Sequence, residues 1–368
     1  MKKVRHLLGI SGGKDSAALA IYMKMHYPDI DMEYYFCDTG KELAETYDLI
    51  EELENYLGKE ITKLIAAKDS PLDPFDHFLQ MYRGYLPSNQ ARWCTKVLKL
   101  EPFEKYVGDD PVISYVAIRG DEEREGYVST KPNIQTIFPF RKNMWSIEVL
   151  NKVLHNDNIS KLLKIYQQIA KKTDLEKVSN FILEPTSPKF LFSQKLNELL
   201  SIDTATFNRA VFQFLRDSNY PIAKLEDYSL LNNDDVIVKD DVINLYKSSG
   251  VTYPKYYKEV EYEVNGEKGK YARSRSGCFF CFYQQKIEWV WLMERHKDLF
   301  EKAMEYEKDG YTWNENESLF ELSQPDRIQQ IKEEHLKKIR NRILSIKSNK
   351  LIDVLDDADG ISCVNCFV

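Results

Sequence analysis

Apolar residues cluster in short runs over the first third of the chain and in helical spacing over most of the rest. Residues 4–10, 32–37, 61–65 and 112–118 are runs rich in Val, Ile, Leu, Phe and Tyr, each of a length suited to a buried strand. Between them, residues 17–25, 42–56 and 98–106 read as helices. Strand alternating with helix predicts an α/β fold with a doubly wound parallel sheet, helices lying on both faces. In such sheets ligands bind beyond the carboxyl ends of the strands. Residues 11–16, 38–40 and 119–124 each follow a strand and are expected to open onto one crevice.

The pattern changes near Trp145. Up to about residue 240 helical spacing dominates, as in Ile159, Leu162, Leu163, Tyr166 and Ile169, and no glycine occurs between Gly126 and Gly250. This stretch reads as a helical insertion serving packing or partner contact. Residues 253–271 suggest a short hairpin, followed by helices over 284–306 and 326–350. The expected division is a nucleotide-binding α/β core (1–145), the insertion (146–241) and a helical, Cys-containing region (242–368).

Composition narrows the setting. The chain has 368 residues, 43% hydrophobic and 30% charged, as in a soluble protein. No apolar run approaches the roughly 18 residues of a membrane span, and the start runs directly into a strand, so neither membrane association nor a signal peptide is expected. Six cysteines without a secretion signal fit the reducing cytoplasm, where Cys-x-x-Cys pairs serve metal or redox chemistry. A net charge of −7 argues against broad nucleic-acid binding but leaves room for a local basic face. The basic helix 326–350 offers either such a face or a solvated amphipathic surface.

The densest chemistry lies at Ser11, Gly12, Gly13, Lys14, Asp15 and Ser16, between the first strand and the first helix. Backbone N–H groups and the positive helix end there suit a phosphate, and glycine lets the backbone approach it. The spacing of a Walker loop is absent. Asp38, Thr39 and Gly40 end the second strand, with Glu42, Thr46 and Tyr47 following. An Asp in that place can hold Mg²⁺ or a ribose hydroxyl. Arg119 and Arg124 flank three carboxylates after a later strand, which by itself reads as a solvated charged loop. Cys94, Cys278 and Cys281 are three candidate thiolate ligands, with Cys363 or Cys366 available as a fourth. Such a set suits an iron–sulfur cluster or zinc, and the C-terminal Cys pairs alone could also form a zinc site. Cys37 reads as core.

These motifs resemble a known superfamily. The Ser11–Ser16 loop resembles the SGGxDS loop of the PP-loop ATP pyrophosphatases, whose sheet is of the adenine nucleotide α-hydrolase type. The resemblance implies ATP and Mg²⁺, with Lys14 and Asp15 serving catalysis. The run from Asp38 to Tyr47 is similar to that of the phosphoadenosine phosphosulfate (PAPS) reductase-like family. So are Arg92, Cys94, Thr95, Lys99 and Pro102; Trp145 with Glu148; and Leu245, Tyr246, Gly250 and Pro254. The resemblance also implies a nucleotide and anion clamp on Arg119 and Arg124, although the glycine expected before Arg119 is replaced by Ala117 and Ile118. The resemblance covers about 4–145 and 242–310 and implies a [4Fe–4S] cluster on Cys94, Cys278 and Cys281, with Cys94 catalytic.

An intact loop and a tail lacking the Glu-Cys-Gly-x-His setting separate the chain from PAPS and adenosine phosphosulfate reductases. The pattern most resembles the Dnd-type DNA phosphorothioation sulfurtransferases. That resemblance implies adenylation of a nucleic-acid acceptor followed by sulfur transfer, with a sulfur donor such as a cysteine desulfurase and partner proteins docking on the insertion. A sulfonucleotide reductase, a tRNA thiolase and a nucleotide-sensing phage-defence subunit stand as alternatives.

Overall fold

The computed structural model describes residues 2–122, 124, 129–308 and 310–346, with side chains through 341. Strands β1 (Arg5–Gly9), β2 (Met32–Asp38), β3 (Ile61–Ile65), β4 (Val112–Tyr115) and β5 (Ile134–Ile137) form one parallel sheet in the order β3-β2-β1-β4-β5. Leu8 of β1 stands opposite Tyr34 on one side and Tyr115 on the other. All of β4 and β5 is buried, as expected for strands covered on both faces; β4 accordingly falls in an apolar run, whereas β5 carries Gln135 and Thr136. The order reverses direction at β1 and β4, and this creates the crevice where a doubly wound sheet binds its ligand.

The first helix, α1 (Lys14–His26), begins directly after Gly13, three residues before the apolar run that predicts it. It is buried from Asp15 through Met23 because Ala17, Ala18 and Ala20 let neighbouring elements approach on every side. Helix α2 (Ala44–Leu57) buries one face through Leu49, Ile50 and Leu53 and ends at Gly58, whose φ is 67°. The helix expected over 98–106 is a longer run: Trp93–Thr95, a π-turn over Lys96–Leu100, then Glu101–Val107. The short helix α3 (Pro74–Met81) and strand β5 escape the apolar pattern. Helix α3 starts on an Asp73 cap that accepts from the Asp76 N–H at 3.0 Å.

One apolar core runs from α1 and α2 through Trp145 into helices Ile159–Ile169, Lys172–Leu183, Phe192–Ile202 and Thr204–Leu215. The indole N–H of Trp145 donates to Asn208 Oδ1 at 2.9 Å inside it. A second core gathers Leu43, Phe75, Trp93, Phe280, Trp289 and Trp313. The expected hairpin is present as β6 (Val260–Val264) and β7 (Glu267–Tyr271), joined by Asn265 and Gly266 at φ 53° and 76°. The expected helix over 284–306 is two, Lys286–Arg295 and Lys297–Glu305. Three cations of helix Pro325–Ile346 are engaged within the fold: Arg327 on Glu317, Lys332 on Glu294 and Arg340 on Glu267. No helix among the described residues is long and apolar enough to cross a membrane.

Candidate nucleotide and thiol site

The loop after β1 is shaped by steric necessity. Gly12 has φ +74°, and a Cβ there would lie 2.4 Å from Thr46 Cγ2. Ser16 Oγ donates to the Gly13 carbonyl at 3.1 Å and accepts the Ser11 N–H at 3.1 Å, closing the turn on itself. The Asp15 carboxylate is only 7% exposed and is held from two sides. Lys14 Nζ lies 2.8 Å from Oδ2, and Arg119 Nη1 lies 3.0 Å from Oδ1. A buried carboxylate requires such partners.

Arg119 comes from the segment after β4, so the contact spans the point where the strand order reverses. Its Nε also meets Asp121 at 2.8 Å. Arg124 meets the same segment: its Nη2 lies 3.2 Å from Glu122 Oε1, and Arg119 Nη2 lies 3.4 Å from the same oxygen. The two arginines therefore converge on Glu122, a residue the motif reading assigns no role. Three tyrosines from the later chain floor the loop. Tyr246 donates to the Lys14 carbonyl at 3.1 Å, Tyr256 donates to the Gly12 carbonyl, and Lys14 Nζ stands 5.1 Å from the centre of the Tyr257 ring. Only the run around Leu245, Tyr246 and Pro254 signals this in the sequence.

At the end of β2, Asp38 Oδ1 accepts the Gly40 N–H and the Tyr47 hydroxyl, both at 2.9 Å. Glu42 accepts from Thr39 Oγ1 at 2.7 Å, the Lys41 N–H at 3.2 Å and Tyr47 at 3.3 Å. Burial nevertheless raises its carboxyl above the usual range, with the nearby Asp38 adding to the shift.

Cys94, Cys278 and Cys281 line one recess, together with Thr39, Lys99 and Tyr283. The recess is built by strand-like pairing of Glu42 with Cys278, by the Phe279 N–H donating to the Lys41 carbonyl at 2.9 Å, and by Gly277 at φ +95°. Cys278 Sγ lies 3.2 Å from Thr39 Oγ1. Burial pushes the Cys94 thiol up to about 12 and the Cys278 thiol higher still, while the charge of Lys99 opposes both shifts. A thiolate in this recess therefore needs more positive charge than Lys99 supplies, and a soft metal ion is one source of it. Three thiol donors facing one space suit such an ion in kind. Among the described residues, however, no three His, Cys, Asp or Glu side chains stand close enough to ligate one. Cys363 and Cys366 lie outside the described residues. Cys37 is buried in β2, its Sγ 3.7 Å from the Lys99 carbonyl, as core packing predicts.

The phosphate loop and the thiol recess touch. Ser276 lines the recess, and its Oγ lies 2.9 Å from where a Cβ on Gly13 would stand.

A parallel sheet with this loop at its switch point is the arrangement of a nucleotide-binding domain, and the α/β part of the chain is similar to proteins of the PP-loop ATP pyrophosphatase superfamily. Within it, residues 5–173 match the phosphoadenosine phosphosulfate reductase domain. That match extends beyond the expected limit near residue 145 and takes in the first helices of the insertion. The chain is 30% identical over 166 residues to an uncharacterized protein of Methanocaldococcus jannaschii, covering 41% of this chain and 32% of that one. It is 27% identical over 139 residues to a tRNA-specific 2-thiouridylase of Mannheimia succiniciproducens, covering 33% of this chain and 34% of the relative. The chain thus spans about a third of the length of the curated relatives it matches.

Proposed function

We propose that the chain is an ATP-dependent adenylating sulfurtransferase that thiolates nucleic acid, with DNA phosphorothioation as the narrower reading its motif pattern favours. The observation that carries this is Ser276, which touches the nucleotide loop and lines the thiol recess. Activation of an acceptor and delivery of sulfur are then adjacent events.

In this reading Ser11–Ser16, Asp38, Thr39 and Gly40, with Arg119 and Arg124 at the far wall, hold ATP. Asp15 and Asp38 supply carboxylates for Mg²⁺. An acceptor oxygen attacks the α-phosphate, and the bond to pyrophosphate breaks. Lys14 offsets charge on the leaving group. A donor such as a cysteine desulfurase loads Cys94 as a persulfide, whose outer sulfur attacks the activated centre and expels AMP. A second recess thiol such as Cys281 then cleaves the S–S bond, leaving the thiolated acceptor and a Cys94–Cys281 disulfide that an external thiol reduces. A [4Fe–4S] cluster or zinc on Cys94, Cys278 and Cys281 would supply a soft centre that holds sulfur or thiolate at the recess.

The matched relatives named as tRNA thiouridylases favour a second acceptor, tRNA. The matched reductase domain motivates a third outcome, release of sulfite from PAPS without ATP. One experiment separates the three. ATP labelled at the α-phosphate is incubated with DNA, tRNA or no acceptor, and the nucleotides are resolved. AMP formed with DNA or tRNA supports adenylation and names the acceptor. ADP as main product, or ATP-independent sulfite release from PAPS with thioredoxin, overturns it.

A further inference from the structure

The thiol recess carries a feature that nucleotide binding does not use. Arg92 and Arg275 converge on one ring, their guanidinium carbons 5.2 and 4.9 Å from the centre of Tyr283. They come from segments more than 180 residues apart, and each lies two or three residues before a recess cysteine. Tyr283 itself lines the recess with Cys94, Cys281 and Lys99. Two cations are thus held against one aromatic ring that lines the thiol recess.

Aromatic surface continues outward from Arg92. Tyr82 stacks on Trp93 at 5.0 Å between centroids, the Trp93 indole donates to the Tyr85 carbonyl at 3.0 Å, and Tyr85 meets Tyr311 at 5.3 Å. Tyr82, Tyr85 and Tyr311 are 40–45% exposed, a high value for three adjoining aromatic side chains. Cations lie among them. Arg83 is exposed beside Tyr82, and the Lys308 ammonium stands over Gly84, 2.5 Å from where a Cβ would be. Neither takes part in an ion pair among the described residues. By contrast, Arg327, Lys332 and Arg340 of the long basic helix are engaged with carboxylates.

Exposed aromatics interleaved with cations fit an unpaired nucleic-acid strand. Bases stack on the rings, and phosphates meet the guanidinium and ammonium groups. A duplex keeps its bases stacked internally and offers no face to these rings. We propose that this surface, from Tyr82 and Tyr85 through Arg92 to the Arg275–Tyr283 pair, seats an unpaired nucleic-acid strand and leads one nucleotide to the thiol recess. The inference rests on the sulfurtransferase reading in taking nucleic acid as the acceptor, and it assigns the residues that recognise it.

The full chain is titrated without nucleotide against fluorescein-labelled oligo(dT) and oligo(U) of about 20 nucleotides and against a blunt DNA duplex, with anisotropy as readout. Binding to either strand in preference to duplex supports the proposal, and the preferred strand tells DNA from RNA. Arg92→Ala, Arg275→Ala and Tyr283→Leu should each weaken strand binding about fivefold or more, each arginine change lowering the salt dependence by about one charge. Arg275→Lys, which keeps charge and loses the planar guanidinium, should fall between. Lys337→Ala with Lys338→Ala on the long helix should change nothing. Thermal melts confirm that each variant is folded. Equal affinity of wild type and all three variants, duplex preference, or no strand binding overturns the proposal. Strand binding by a chain that forms no AMP refutes the adenylation reading alone. AMP formation with unaltered affinities in the variants refutes this surface alone.

Discussion

Arg119 and Asp15 are 104 residues apart in the chain and 3.0 Å apart in the fold, joined across the point where the sheet changes direction. The pair ties the segment after β4 to the first turn of α1, and it leaves Lys14 on the other carboxylate oxygen. Arg119→Ala should strip a buried carboxylate of one partner. A loss of about 1–3 kcal/mol in folding stability is expected, together with weaker ATP binding. Chemical denaturation and calorimetric titration with ATP–Mg²⁺ measure the two effects. Unchanged values in both would show that the contact contributes nothing.

Gly12→Ala should disturb the loop for two separable reasons, a positive φ and a collision with the Thr46 methyl. Together they predict a destabilisation of about 1–3 kcal/mol. Thr46→Ala in the same chain removes the collision and leaves the backbone strain. Partial recovery in the double variant is therefore expected. Full recovery would mean that φ is not limiting, and no recovery that the contact is not.

His6 predicts a pH dependence in the sheet itself. Burial lowers its imidazole from 6.5 to about 4, and its Nδ1 lies 2.8 Å from the Tyr115 hydroxyl. The unfolded chain takes up the proton near 6.5, whereas the folded chain resists until about 4. The stability gained by keeping this ring neutral is thus complete above pH 6.5 and is lost as pH falls through that window. Urea midpoints at several pH values between 7.5 and 4.5 should decline, and His6→Gln should flatten the part due to this residue. A slope identical in wild type and variant would exclude it.

A metal bound at the recess would have to draw its three cysteines closer together than they stand here, and the expected outcome is that it does. Anaerobic purification should yield either a broad absorbance near about 400 nm with bound iron, or zinc. Cys94→Ala, Cys278→Ala and Cys281→Ala should each reduce metal content sharply, while Cys37→Ala should not. Metal analysis of the four proteins checks this. Absence of both metals from the wild-type preparation would end the hypothesis.

Local patterns were sufficient for several elements. The strand–glycine loop–helix at residues 4–25, the end of β2 and the hairpin at 260–271 are each specified by residues adjacent in sequence, through apolar runs and glycines in turns. Helix α3 and strand β5 escaped because both are short. An apolar run of four to eight residues does not separate a buried strand from a helix segment by periodicity, and β5 interrupts its run with Gln135 and Thr136. The three-residue error at the start of α1 arose because Lys14 and Asp15 are charged, although burial against Arg119 and Tyr257 makes them part of the helix.

What the sequence by itself determined is which residue types stand near one another: a glycine loop between strand and helix, an acidic strand end, two arginines and thiols in Cys-x-x-Cys spacing. Those depend on residue type and near spacing. What only the tertiary structure decided is which groups meet. It set the order β3-β2-β1-β4-β5, put Arg119 on Asp15 and Arg124 on Glu122, floored the loop with three tyrosines, and faced Cys94 with Cys278 and Cys281. These meetings follow from burying two apolar cores at the carboxyl edge of one sheet. That requirement acts on the whole chain at once and leaves no mark at any single position.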